Sequence, residues 1–341
     1  MDQLSNLQEW LNTNDYIDIF KRDKVIYRKY PDKHLMIIKR KYGSPYSGDK
    51  QWLNYYRGLI IDYKTHKIIF VPPQKSNEVQ TIEQLQKFGS LETLVDGTMV
   101  NLFYVKGEWL VSTRSNIGCT NRWVHDMNFK DMFNECGANL DYHSLNKEYT
   151  YSFVMRHMKH KMISKIDRNE LVLIEVYHGL NTLSTLPKNK GYTVKGEWST
   201  SGIYKGFCIT VGGIRYKWLS NEQKFINMVQ PNTNNPCLNY LMLRNSGHLT
   251  SYLKLLPEMR FKFDKYRKKV HLVTQLIYEY YVNVNIKKQL EKKDVPFIFK
   301  PLLYELHGLY LTHKQGISYN TVKQYMYELE PKRLQFILNG L

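Results

Sequence analysis

The sequence predicts an α+β fold in which a β-rich N-terminal domain is followed by an all-helical C-terminal domain. Two patterns carry this. Short β-rich runs separated by turn residues succeed one another from Val25 to about Lys217, and after Leu219 apolar residues recur at three- and four-residue spacing. The changeover near residues 220–235 divides the chain into domains of 1–225 and 226–341, and 341 residues suffice for two cores.

The first ten residues are polar and lack the basic and apolar regions of a signal peptide. No apolar run approaches the roughly 20 residues that span a bilayer. Four scattered cysteines, Cys119, Cys136, Cys208 and Cys237, form neither a zinc spacing nor a disulfide framework and fit a reducing compartment. These features predict a cytoplasmic protein without a membrane partner.

Residues 25–27, 35–38, 59–62 and 68–71 are the first β-rich runs. Asp96-Gly97, between Leu94-Val95 and the alternating stretch 99–105, predicts a hairpin turn. Further strands are expected at 109–112, 149–154, 171–177 and 206–211, with short helices near 81–88 and 123–133. In the second domain Phe263, Tyr266, Val270, Val273, Ile277 and Tyr280 share one helical face, and Pro257 suits the first turn. A second helix carries Leu302, Leu303, Leu306, Leu309 and Tyr310. Ser318 offers an N-cap for a third, and Pro331 opens a last one ended by Gly340.

Charge is the outlier. Forty-nine Lys and Arg against 31 Asp and Glu give +18, an excess that favours a polyanionic partner such as nucleic acid. An anionic lipid surface or simple solubility would also accommodate it.

A series of weak motifs gains weight from its order. Arg57-Gly58 enters a buried strand, and Pro72-Pro73-Gln74-Lys75-Ser76 follows. Leu94-Val95-Asp96-Gly97 comes next, then Ser112-Thr113-Arg114-Ser115, Tyr151-Ser152-Phe153-Val154, the run around Glu175, Lys205-Gly206 and Tyr216-Lys217-Trp218-Leu219. This series, over roughly residues 55–220, resembles the bacteriophage-type RNA ligases, a branch of the covalent nucleotidyltransferases. The resemblance implies an ATP-grasp-like adenylylation domain of antiparallel sheets, and a large DNA virus or phage as source. In that family a K-x-D-G lysine is adenylylated, a carboxylate contacts the ribose, an E-G acid serves the metal, and a K-x-K motif neutralises phosphates.

The chemistry explains those residue types. The lysine must attack phosphorus as a neutral amine, Mg²⁺ prefers carboxylate oxygens, and fixed cations stabilise the transferring phosphoryl group. This chain departs at each chemical position: Leu94 replaces the lysine, Val154 the ribose carboxylate, Lys205 the metal-handling acid and Leu219 the second lysine. Leucine cannot form a phosphoramidate. Neither Lys87 nor Lys106 has the spacing to place an amine beside Asp96.

The resulting expectation is a catalytically degenerate protein with no catalytic residue and no metal. It binds nucleic acid, RNA favoured over DNA, through a basic former nucleotide cleft. Arg57, Lys75, Asp96, Arg114 and Lys217 are candidate nucleotide or phosphate contacts; Arg156, His157, Lys159, Lys161, Lys165 and Lys205 are candidate nucleic-acid contacts. Several have a bland alternative: Asp96-Gly97 as a turn, Arg57 paired with a carboxylate, Lys75 and Lys217 as solvated surface, Glu175 facing solvent or a lysine. Two rival functions stand beside it. One is an active ATP-dependent RNA ligase with displaced residues, the only case needing ATP and Mg²⁺. The other is a structural or assembly subunit of a large DNA virus contacting other viral proteins, in the host cytoplasm or the virion.

Overall fold

The computed structural model describes residues 3–340 apart from positions 14, 23–24, 42–50, 123–126, 161–162, 199–202, 232 and 234. It comprises two compact units, Met1–Lys224 and Phe225–Leu341.

The first unit begins with helices α1 (Gln3–Thr13) and α2 (Tyr16–Arg22). Leu4, Leu7 and Leu11 recur at helical spacing and are fully buried, so the sequence itself carries the signal for this helix. Strands β1 (Val25–Tyr30), β2 (Leu35–Arg40), β3 (Arg57–Asp62) and β4 (Ile68–Phe70) form an antiparallel sheet in that order. Strand alternation sorts their apolar residues onto two faces. Met36, Ile38, Leu59 and Ile61 pack with α1 and α2 side chains, whereas Leu35, Ile37, Ile60 and Phe70 pack with Phe103 and Leu110 of a second sheet.

Strands β5 (Asn77–Glu78) and β6 (Glu92–Thr93) flank helix α3 (Ile82–Gln86). Thr81 caps that helix in a capping box with Gln84. Then come β7 (Thr98–Val105), β8 (Glu108–Ser112), helix α4 (Phe129–Cys136), β9 (Tyr149–Arg156), β10 (Glu170–His178), β11 (Asn181–Thr182), β12 (Thr193–Val194), β13 (Gly206–Val211) and β14 (Ile214–Leu219). The second sheet runs β11-β10-β9-β7-β8 with β12 added to β10, and the third runs β5-β14-β13-β6. Phe129, Met132, Phe133 and Cys136 of α4 bury one face of the second sheet. This helix starts later than the sequence suggested, and the 123–126 part of that expectation lies outside the described residues.

The expected Asp96-Gly97 hairpin is not formed. Strand β6, just before it, pairs with β13 in the third sheet, while β7, just after it, pairs with β8 and β9 in the second. The dipeptide is a crossing between sheets. Its glycine is needed for close approach: a Cβ on Gly97 would lie 2.4 Å from Met155 O and 2.7 Å from Val154 Cγ1. The true hairpin turn is Lys106-Gly107, where both residues take positive φ (51° and 87°) between the paired Val105 and Glu108. That is the type I′ requirement of a two-residue loop.

Helix α5 (Asn221–Val229) follows β14, and the second unit is helical: α6 (Pro236–Asn245), α7 (Leu249–Leu255), α8 (Met259–Tyr281), α9 (Lys300–His313), α10 (Tyr319–Glu328) and α11 (Pro331–Asn339). Asn235 caps α6, and Ser318 forms a capping box with Thr321 at α10. Phe263, Val270, Val273 and Ile277 of α8 are buried as expected; Tyr266 and Tyr280 are only half-buried, and Thr274 and Tyr281 complete the face. A π-helical turn at Val282–Ile286 ends α8. Among the described residues no helix is long and apolar enough to cross a membrane.

Candidate functional site

The first unit contains a cleft of about 280 Å³ where all three sheets contribute residues. Its floor is apolar. Val95, Val154 and Ile174 belong to one buried cluster with Val172 and Trp198, and Met99 packs against them; Leu94 lines the same cavity. Val154 sits in the middle of the second sheet, opposite Met99 on β7 and Val172 on β10. Ile174 is the extra residue of a bulge in β10, between the Leu173–Phe153 and Glu175–Ser152 pairs.

The rim is cationic: Arg57, Lys75, Arg114, Lys205, Arg215 and Lys217 all line the cavity, and among the described residues no carboxylate does. Local structure sets each in place. Arg57 starts β3. The following Gly58 takes φ +109°, and a Cβ there would come within 3.0 Å of Arg114 Cα, so the glycine brings Arg114's turn against Arg57. Thr113 N–H donates to Asn116 O (2.9 Å) to close that turn, which leaves Arg114 exposed. Lys75 is anchored through its N–H to Asn54 O (3.3 Å). Arg215 and Lys217 are two apart on β14 and so share a face.

Lys39 shows what this crowding does. It pairs in register with Arg57, and its pKa is lowered, first by burial and then by the Arg114 charge. An anion in the cleft would relieve that repulsion.

Two rim lysines have internal counter-charges. Lys217 Nζ is 3.1 Å from Glu78 Oε2. Lys205 Nζ is 3.2 Å from Asp96 Oδ1. Asp96 itself is 1% exposed, and its Oδ2 accepts from Ile163 N–H (2.8 Å) and Ser164 N–H (2.9 Å). Asp96 does not line the cavity. Expected as a nucleotide contact, it is instead an internal clamp that holds the 163–164 backbone and balances Lys205.

In the basic run after β9, Arg156 and His157 are turned inward rather than forming a rim. Arg156 is 4% exposed; it donates to Glu170 Oε1 (2.9 Å), Lys165 O (2.8 Å) and Asp96 O (3.2 Å), and lies 4.5 Å over the Trp198 ring. His157 is 1% exposed, with Nε2 2.9 Å from Glu135 Oε2. Both are scaffold, consumed by the polar groups a buried guanidinium and imidazole must satisfy. Lys159 and Lys165 are exposed and do not line the cavity, Lys165 ion-paired with Asp167 at 2.8 Å, and Lys161 lies outside the described residues. Leu219 is buried opposite Gly206 and does not reach the cavity.

Thus the structure gathers Arg57, Lys75, Leu94, Arg114, Val154, Lys205 and Lys217 around one cavity, and adds Arg215, Met99 and Ile174. Arg215 had a readable signal, its i, i+2 relation to Lys217. Glu175 stands beside this group. Burial raises its carboxyl pKa, opposed by Arg215, Lys195 and the Tyr177 hydroxyl, which donates to it at 3.4 Å. Among the described residues no three His, Cys, Asp or Glu are grouped to hold a metal ion.

No family model and no curated protein matches the sequence. Among solved structures, the chain is similar to one described as "Putative ATP-dependent DNA ligase from Aquifex aeolicus", with a TM-score of 0.43 and 13% identity. The match covers 80% of this chain and 76% of that one.

Proposed function

We propose that this is an RNA-ligase-like protein that binds nucleic acid non-covalently in its former nucleotide cleft, RNA in preference to DNA. The observation that carries this reading is the cavity lining: six Lys and Arg side chains, no carboxylate among the described residues, and Leu94 at the position that holds the lysine in the ligase motif. Cations without acids suit phosphate oxygens and offer Mg²⁺ no carboxylate, so the lining fits a metal–nucleotide complex poorly. The apolar floor of Leu94, Met99, Val154 and Ile174 suits a base face. At about 280 Å³ the cavity suits one nucleotide unit of a single strand, not a duplex.

The test is fluorescence anisotropy with single-stranded RNA across a salt series. Each phosphate neutralised contributes a slope of about −0.7 in log K against log salt. Arg114→Glu should weaken binding and flatten that slope, and affinity indifferent to salt would count against the reading.

One observation favours an enzymatic alternative: Lys205 places an amine inside the cleft, 3.2 Å from Asp96. Sequence spacing could not reveal this, because Lys205 arrives from a distant strand. Incubation with radiolabelled ATP and a denaturing gel separates the two. The binding reading expects no labelled protein; a labelled band that disappears in Lys205→Met would assign Lys205 as a displaced nucleophile.

A further inference from the structure

The helical unit carries a second cavity, of about 410 Å³, formed where α6, α8 and α10 converge. Its lining repeats no motif of the cleft, yet its chemistry is coherent. From α10 come Tyr319, Asn320, Lys323, Gln324 and Tyr327, which fall on one helical face. Arg244 of α6 and Arg267 of α8 face them, and among the described residues no carboxylate lines the cavity.

We infer that this cavity binds one nucleotide of a single-stranded nucleic acid, independently of the cleft in the first unit. Tyr327, 40% exposed, supplies an aromatic surface. The Arg244 guanidinium lies 4.7 Å from its ring centroid, and the Tyr327 hydroxyl donates to Arg244 O at 2.9 Å, which fixes the ring. A fixed aromatic ring beside a cation is the platform on which unpaired bases stack. Asn320 and Gln324 are exposed amides one helical turn apart; Gln324 Nε2 donates to Glu328 Oε1 at 2.6 Å, which leaves its carbonyl and second N–H, with the Asn320 amide, to meet a base edge.

The charge pattern selects a phosphodiester over a dianionic phosphate. Arg267 is committed to Asp264 Oδ1 (2.7 and 3.0 Å), and Arg244 Nη2 donates to Met326 O (3.3 Å). Lys323 has no ion-pair partner among the described residues, so one uncompensated point charge faces the ligand. Arg244 Nη1 is buried without a hydrogen-bond partner, so the guanidinium serves the site through its face on Tyr327 and its charge. A phosphopeptide would call for several free guanidiniums in a bidentate cluster, which this cavity lacks.

The full-length chain is tested with a fluorescein-labelled oligouridylate and, separately, a 4-thiouridine oligonucleotide for cross-linking. Tyr327→Leu should weaken binding about tenfold, as expected for one lost stacking partner, whereas Tyr327→Phe should stay near wild type. Lys323→Glu should reduce the salt slope by about 0.7. Gln324→Ala, at an exposed position, controls for folding and should weaken binding without moving the melting temperature. Cross-links should map to α10 both in the wild type and in an Arg114→Glu background, where the cleft is disabled. Thus failure here is separable from failure of the cleft proposal. Wild-type affinity and salt slope in both Lys323→Glu and Tyr327→Leu would overturn the inference, as would cross-links confined to the first unit. Competition by uridine monophosphate or by a phosphotyrosine peptide at equal concentration would overturn its assignment to a strand.

Discussion

Asparagine at position 96 separates the two roles that Asp96 could have. The aspartate is 1% exposed and accepts two backbone N–H groups at 2.8 and 2.9 Å, with Lys205 at 3.2 Å. Asparagine keeps an acceptor oxygen but removes the charge. Charge-assisted hydrogen bonds exceed neutral ones by about 1 kcal/mol each, so the two together lose about 2 kcal/mol. The ion pair adds about 1 kcal/mol, kept small because solvent screens the lysine end. A loss of about 3 kcal/mol corresponds to a melting temperature lower by roughly 6–12 °C for a unit of this size. Lys205, relieved of its counter-charge, then faces the cleft as a free cation. Binding of single-stranded RNA should tighten and its salt slope steepen by about 0.7. The expected signature is therefore opposite in sign for stability and affinity, read by thermal melts and anisotropy on the same preparation. An unchanged melting temperature with weakened binding would make Asp96 a ligand contact and refute this reasoning.

Other outcomes follow from the same geometry. Gly97→Ala should cost about 3 kcal/mol or more in chemical denaturation, since the new methyl would press on the β9 backbone at Met155 O; a wild-type midpoint would contradict that crossing. Because Glu175 has its pKa raised in the fold, the native state binds more protons than the unfolded one just above the ordinary glutamate range. Stability should then decline as pH rises through that window and stay lower above it; Glu175→Gln should abolish the decline and raise the neutral-pH melting temperature. Burial pushes the Cys119 and Cys136 thiols up to about 12, and all four cysteines are buried. None should react with Ellman's reagent at pH 8 in the native protein, and all four should in denaturant.

The strands were legible because β-branched runs declare themselves locally: β1 to β4 and β7 to β10 stand close to their sequence positions. So was the helical character of the C-terminal region. The features without a local signature are non-local. Asp96-Gly97 has the composition of a turn, yet its glycine answers to Met155 and Val154 on another strand, and local pattern holds no trace of that. Arg156 and His157 resembled an exposed basic run, but Glu170, Glu135 and Trp198 draw them inward. Lys205 could be recognised as a charge reversal, though its neutralisation by Asp96 belongs to tertiary structure alone.

The third sheet carries a consequence for the order of folding. Its centre is the hairpin β13–β14, while its flanks β5 and β6 are two-residue strands drawn from far upstream. During synthesis residues 77–78 and 92–93 emerge long before the strands they pair with. The first two sheets can form beforehand, since their strands lie between residues 25 and 194. The cleft, which needs Lys75 and Leu94 from one end and Lys205 to Lys217 from the other, is thus the last part of the unit to close. A chain arrested before Gly206 would hold two finished sheets and an open apolar floor of Val95, Val154 and Ile174, a state in which aggregation competes with completion.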